Sequence, residues 1–170
     1  RRAFSEAAQH RLADQRLYPM ALLASDIDHF KRINDNWGHD KGDEVLQLVA
    51  RAMQHNVRSN DLVARFGGEE FMVLLTKIDL QGAEQVAKRI GLELRNDQEL
   101  LPKGPALTLS FGITSISNAE QLEGALRQAD QLLYSAKNAG RDRVHVEGRT
   151  YPDISFEHTL PADHPMALLM

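Results

Sequence analysis

The stretch Arg65-Phe66-Gly67-Gly68-Glu69-Glu70-Phe71, running into the apolar residues Met72 to Leu75, constrains this chain more than any other. Leu62-Val63-Ala64 leads in as a short apolar strand, and the glycine pair offers the positive-φ positions of a tight turn. The outgoing strand is apolar on both faces, so it belongs inside a sheet that is covered on both sides. Yet it opens with two adjacent carboxylates. Acids at the tip of a buried strand, beside glycines that admit a close approach, suit a hard cation and a phosphate. A solvated hairpin tip with two surface glutamates is the competing reading.

A second stretch repeats the pattern. Ala21-Leu22-Leu23-Ala24-Ser25 is an apolar run that ends in Asp26-Ile27-Asp28-His29-Phe30-Lys31. Two strand ends that bring acids together make a Mg²⁺ site of the kind that serves nucleotides, with waters and phosphates completing the coordination. Alternatively, Asp26 or Asp28 caps the short helix that follows.

The remaining periodicity sets the fold class. Residues 2 to 17 read as a helix ended by Pro19, with Phe4, Ala8, Leu12 and Leu17 inward. A strand over 21–27 and a helix over 29–36 follow, the helix stopping near Gly38. The next helix, 40–55, buries Val45, Leu46, Val49, Ala52 and Met53. After the hairpin comes a helix over 79–94, then a polar loop over 96–105 punctuated by Pro102, Gly104 and Pro105. A strand over 107–116, a helix over 119–138 with Gly140 at its C′ position, and an edge strand over 143–146 close the series. The order is β-α-α-β-β-α-β-α-β behind a leading helix. That predicts an α+β fold of ferredoxin-like, split βαβ type, with a mainly antiparallel central sheet surrounded by helices. Residues 1–147 form the expected domain, and 148–170 a tail with no clear period and no assigned role.

Composition excludes several classes. At 170 residues one domain is expected, and a formal charge of −4 gives no basic footprint for nucleic acid. No cysteine is present, which removes disulfides, thiolate zinc sites and a cysteine nucleophile. The seven histidines have no zinc spacing. No apolar run reaches about 18 residues, so nothing here is expected to span a membrane, and no signal peptide is visible. The start at Arg1-Arg2-Ala3-Phe4, without methionine, reads as an excised piece of a longer protein.

Taken together, the motifs resemble a known family. Gly67-Gly68-Glu69-Glu70-Phe71 is similar to the signature of the GGDEF family, the bacterial diguanylate cyclases, with Glu69 a permitted variant of the aspartate in the family name. Asp26 to Lys31, Asn34-Asp35 and Gly38-His39-Asp40-Lys41-Gly42-Asp43 resemble the family's other blocks in order and spacing. The resemblance covers roughly residues 1–147. It implies a fold like that of nucleotidyl cyclases and polymerase palms. The implied reaction joins two GTP molecules into cyclic di-GMP and releases pyrophosphate, with Mg²⁺, or Mn²⁺ in its place, as cofactor.

The resemblance also implies roles, residue by residue. Asp26, the carbonyl of Ile27, and Glu69 hold the metal; Glu70 supports them. Glu69 also stands where the family's proposed general base lies, although a metal-bound carboxylate is a poor base. Lys31, Lys137 and Arg141 contact the triphosphate, the last two against the plainer reading of cations at a helix C-terminus. Asn34 and Asp43 read the guanine edge, since a carboxylate can accept from both donors that adenine lacks. His39 matches a substrate-contacting position, and alone would read as structural. Arg58-Ser59-Asn60-Asp61 resembles the family's RxxD inhibitory site for the product, with Arg89 as a second cation; a loop salt bridge is the alternative.

One GTP per domain makes a homodimer the expected catalytic unit, brought together by an upstream sensory domain not in this sequence. The domain is expected to be cytoplasmic, in a full-length protein that is free or membrane-anchored. The rival from another class is a non-catalytic receptor for cyclic di-GMP or GTP. A third reading is a related nucleotidyl cyclase making a mixed or mononucleotide product.

Overall fold

The computed structural model describes residues 1–97 and 106–151. Five strands, β1 (Met20–Ile27), β2 (Leu62–Arg65), β3 (Glu70–Thr76), β4 (Leu109–Ile116) and β5 (Val144–Val146), form one sheet in the order β2-β3-β1-β4-β5. All pairings are antiparallel except β4 with β5. The helices are α1 (Arg2–Leu12), α2 (Phe30–Trp37), α3 (His39–Asn56), α4 (Leu80–Asn96) and α5 (Leu122–Asn138). The expected α+β order and mainly antiparallel sheet are therefore present.

Period-2 alternation divides the sheet into two cores. Ala21, Leu23 and Ile27 of β1, with Phe71, Val73 and Leu75 of β3, face the layer of α2, α3 and α4. Met20, Leu22 and Ala24, with Met72 and Leu74, face α1 and α5. Each helix presents the stripe its sequence spacing predicts: Val45, Val49, Ala52 and Met53 of α3, and Ala83, Ala87, Ile90 and Leu94 of α4, are all buried.

Three local expectations need correction. The first helix stops at Leu12, not at Pro19. Asp14 accepts from the Arg16 backbone N–H at 3.0 Å and pairs with its guanidinium, capping a separate 3₁₀ turn over Gln15–Leu17. Neither Gly67 nor Gly68 has positive φ. The connection is a four-residue loop, 66–69, whose carbonyls turn inward onto Arg65: its Nε donates to Gly67 O at 3.1 Å and Gly68 O at 3.0 Å. Asp28 does not cap α2. The capping position is His29, at φ 57°, with no side-chain hydrogen bond to the helix.

Most of the polar loop expected over 96–105, and the tail beyond Tyr151, lie outside the described residues. The start of the tail is tied down. Arg149 pairs with Glu84 of α4 at 2.6 Å, and the Tyr151 ring stacks on His145 with centroids 3.6 Å apart.

Candidate active site

Antiparallel pairing of β1 and β3 brings two acid-bearing strand ends together. Asp26 stands across from Glu70 on one flank and Ser110 of β4 on the other. Alternation places Asp26 and Glu70 on the α5 face, in line with Ala24 and Met72. Glu69 precedes β3, and its carbonyl accepts the Ile27 N–H at 3.2 Å. From α5, Lys137 reaches the same point: its Nζ lies 3.0 Å from Asp26 Oδ2. Asp26, Ile27, Glu69, Glu70 and Lys137 thus meet at one end of the sheet.

The electrostatics are those of an acid cluster short of positive charge. Burial pushes the Asp26 carboxyl up to about 6; Lys137 opposes the rise, while Glu69 and Glu70 add to it. Glu70 is raised as well, first by burial and further by Glu69. Asp130, on α5 below Lys137, is only 4% exposed. Burial and the Glu70 charge push its carboxyl up to about 7. Among the described residues no three His, Asp or Glu side chains stand close enough to enclose a metal by themselves. Two carboxylates and a nearby main-chain carbonyl nonetheless fit a Mg²⁺ ion, which keeps several waters and takes the rest of its ligands from phosphates.

The proposed base-reading side chains lie on the opposite face. Asp43, the fifth residue of α3, lines a cavity of about 420 Å³ with Leu46, Gln47, Val63, Arg65 and Phe71. His39 begins α3 and is exposed, as is Lys31 on α2. Asn34 packs against Gly42, where a Cβ would sit 1.9 Å from Asn34 Oδ1. Gly42→Ala is therefore expected to fold, because a side-chain tip can swing aside, but to turn Asn34 out of place. Should Asn34 contact a bound nucleotide, as the family resemblance implies, calorimetric titration of GTP would show binding about tenfold weaker in the variant, the size of roughly one polar contact. Arg141 follows α5 at φ 64°, and its N–H caps the helix at Ala136 O, 3.1 Å away.

Arg58, Asp61 and Arg89 share a different region. The Asp61 carboxylate accepts from Arg58 N at 2.7 Å, Thr76 N at 2.8 Å and Thr76 Oγ1 at 2.9 Å. Arg89 donates to the Asn56 side chain at 3.2 Å and to its main-chain carbonyl at 3.3 Å. Both guanidinium-bearing residues are exposed, Arg58 two residues beyond the α3 C-terminus and Arg89 bonded to its last residue, Asn56.

The family model described as "Diguanylate cyclase, GGDEF domain" matches residues 1–143. The chain belongs to the GGDEF family. This GGDEF chain is 43% identical over 128 residues to diguanylate cyclase DgcP of Pseudomonas aeruginosa, covering 75% of itself and 19% of that protein. It is 39% identical over 135 residues to diguanylate cyclase DosC of Escherichia coli, covering 75% of itself and 28% of the relative. The chain thus spans less than a third of the length of these two relatives. Among solved structures it resembles the active GGEEF domain of a diguanylate cyclase from Vibrio cholerae, with a TM-score of 0.72 and 32% identity over 88% of this chain and 92% of that one.

Two residues at the GGDEF loop and its surroundings escaped the sequence reading. Asp130 falls between Leu126 and Leu133 in the buried stripe of α5, and an acid at that spacing was the available signal. Arg65 fixes the loop through its two carbonyl contacts, for which a sequence offers no marker. Within the described residues no helix is long and apolar enough to cross a membrane.

Proposed function

We propose that this chain, with residues 1–147 as its catalytic unit, is a diguanylate cyclase domain that condenses two GTP molecules into cyclic di-GMP. The observation that carries the reading is the meeting of Asp26, Glu69 and Glu70 from two strand ends beside Lys137, in a member of the GGDEF family. In each half-reaction the 3′-oxygen of one GTP bonds to the α-phosphorus of the other, and the bond from that phosphorus to pyrophosphate breaks. Two such steps close the ring and release two pyrophosphates. A divalent ion, Mg²⁺ or Mn²⁺, supplies charge neutralisation at the phosphates and acidifies the attacking hydroxyl.

Asp26, the Ile27 carbonyl and Glu69 would hold that ion, with Glu70 supporting them. Glu69 would offer one carboxylate oxygen to the ion and the other to the 3′-hydroxyl proton, since a fully coordinated carboxylate is a poor base. Lys31, Lys137 and Arg141 hold the triphosphate, and Lys137 exchanges its Asp26 contact for phosphate when substrate enters. Asn34 and Asp43 read guanine on the α3 side, with His39 at the entrance, so the nucleotide lies across the strand ends. Each domain carries one GTP, and catalysis needs two copies facing each other. The feedback site comprises Arg58, Asp61 and Arg89. Its support is the pair of exposed arginines beside Asn56; Asp61 orients the Arg58 main chain there.

The test is incubation with GTP and Mg²⁺, with product read by mass. Cyclic di-GMP should form at a rate rising as the square of protein concentration at low occupancy of the dimer, and Glu69→Gln should abolish it. GTP consumed to any other product, or no product at high protein concentration together with tight cyclic di-GMP binding, would move the chain to the cyclase variants or the receptors. ATP run in parallel should give no product.

A further inference from the structure

Asp28 is a buried carboxylate, 4% exposed, two residues beyond the proposed metal aspartate. It neither caps α2 nor joins the acid cluster. Its Oδ1 accepts from Ser110 Oγ at 2.7 Å, and its Oδ2 accepts from Thr108 Oγ1 at 2.8 Å and from the Asp142 N–H at 2.9 Å. Its own N–H donates to Thr108 O at 3.0 Å. One side chain therefore ties the end of β1, the start of β4 and the loop after α5.

That loop needs holding. Arg141 and Asp142 are successive non-glycine residues in the left-handed region, at φ 64° and 49°. Each such residue is strained and persists only when its surroundings impose it. The main chain on either side is held by Arg141 N–H on Ala136 O and by Arg143 O, which accepts from Phe111 N–H, but the other side-chain restraints near the loop lie at the surface. Asp142 pairs with Arg95 where both side chains are more than 40% exposed, and such pairs contribute little. Arg143 Nε donates to Arg141 O at 2.9 Å, also at the surface. Among the described residues, the Asp28 contact is the one that a buried side chain makes to the Asp142 N–H.

We propose that Asp28 is a positioning residue for the triphosphate, holding the loop that carries Arg141 over the strand ends by accepting hydrogen bonds rather than by binding metal. The inference rests on the assignment of Arg141 to phosphate given above. Asn can reproduce the arrangement: its carbonyl oxygen meets Thr108 and the Asp142 N–H, and its amide donates to Ser110 Oγ, which can accept. Ala reproduces none of it.

GTP binding, measured by calorimetry with Ca²⁺ to prevent turnover, tests this without activity. Asp28→Ala should weaken binding about tenfold, and Arg141→Ala should do the same, the size of one lost charge-assisted contact. The double variant should be about as weak as either single one, because both remove the same grip. Asp28→Asn should stay within about threefold of wild type. Hydrogen exchange should show the Asp142 amide losing protection in Asp28→Ala and keeping it in Asp28→Asn. Asp28→Ser serves the same comparison where Asp28→Ala does not fold. Additive losses in the double variant, an Asn variant as weak as Ala, or unchanged exchange at Asp142 would overturn the proposal while leaving the cyclase reading intact. A wild-type protein that binds no GTP would remove both.

Discussion

Asp26→Asn should abolish cyclic di-GMP formation while raising the melting temperature of the metal-free protein at pH 8. The two effects share one cause. The fold holds the Asp26 carboxyl at about 6, against 3.8 for an ordinary aspartate, chiefly because it is buried. A carboxyl whose folded pKa is raised binds its proton more tightly folded than unfolded. Stability therefore declines as pH rises from 3.8 toward about 6, and the full cost of carrying the charge is present above that. Removing the charge returns on the order of 1–3 kcal/mol, or a few degrees in a chain this size. Lys137, released from Asp26, is 30% exposed and regains water. The advantage should shrink when the same comparison is made at pH 4, where the wild-type carboxyl is largely protonated. Scanning calorimetry at both pH values decides the matter; a variant less stable than wild type at pH 8 would mean the Lys137 pair outweighs burial. Activity should fall at least about a thousandfold, because the amide no longer supplies a charged ligand at the centre of phosphate chemistry.

The second large effect is on folding. Gly112 lies in the middle of β4, under α5. A Cβ there would stand 2.0 Å from Ala129 O and 2.3 Å from Leu133 N, both main-chain atoms that cannot swing away. Gly112→Ala must push the helix off the sheet, along with Ala129 and Leu133 of the core. Overpacking of this kind costs about 3 kcal/mol or more, and denaturant titration should show the midpoint drop accordingly. The helix so displaced also carries Asp130 and Lys137, so residual folded protein should bind GTP poorly. A variant as stable as wild type would show that α5 has room to move. Gly42→Ala makes a useful contrast, since its obstruction is the tip of one side chain.

The strands and buried stripes were legible because they follow from the spacing of apolar residues. Val45 through Met53 and Ala83 through Leu94 could be assigned without any partner in view, and both stripes are buried. The acids at Asp26 and Glu70 were legible for a related reason: a charge at the end of an apolar run has to be explained. Other features depend on partners distant in sequence. Asp28 could have been a cap until Thr108, Ser110 and Asp142 were seen around it. Gly112 resembles any glycine in a strand until α5 lies on it. The break after Leu12 was local yet missed, because Asp14 competes for the backbone more strongly than apolar spacing reveals. The glycine pair misled for a similar reason. Its carbonyls are gathered by Arg65, so the loop needs no left-handed residue.

The sheet ends in two short margins, β2 with four residues and β5 with three. On β5 the outward N–H of Val146 is already taken by the Tyr151 hydroxyl, at 2.7 Å. Each border is too short to offer a long run of donors and acceptors along which another polypeptide could zip. Partners that assemble with this domain are thereby steered away from continuing its sheet and toward contact through helices, loops and strand tips, which is also where the acids lie.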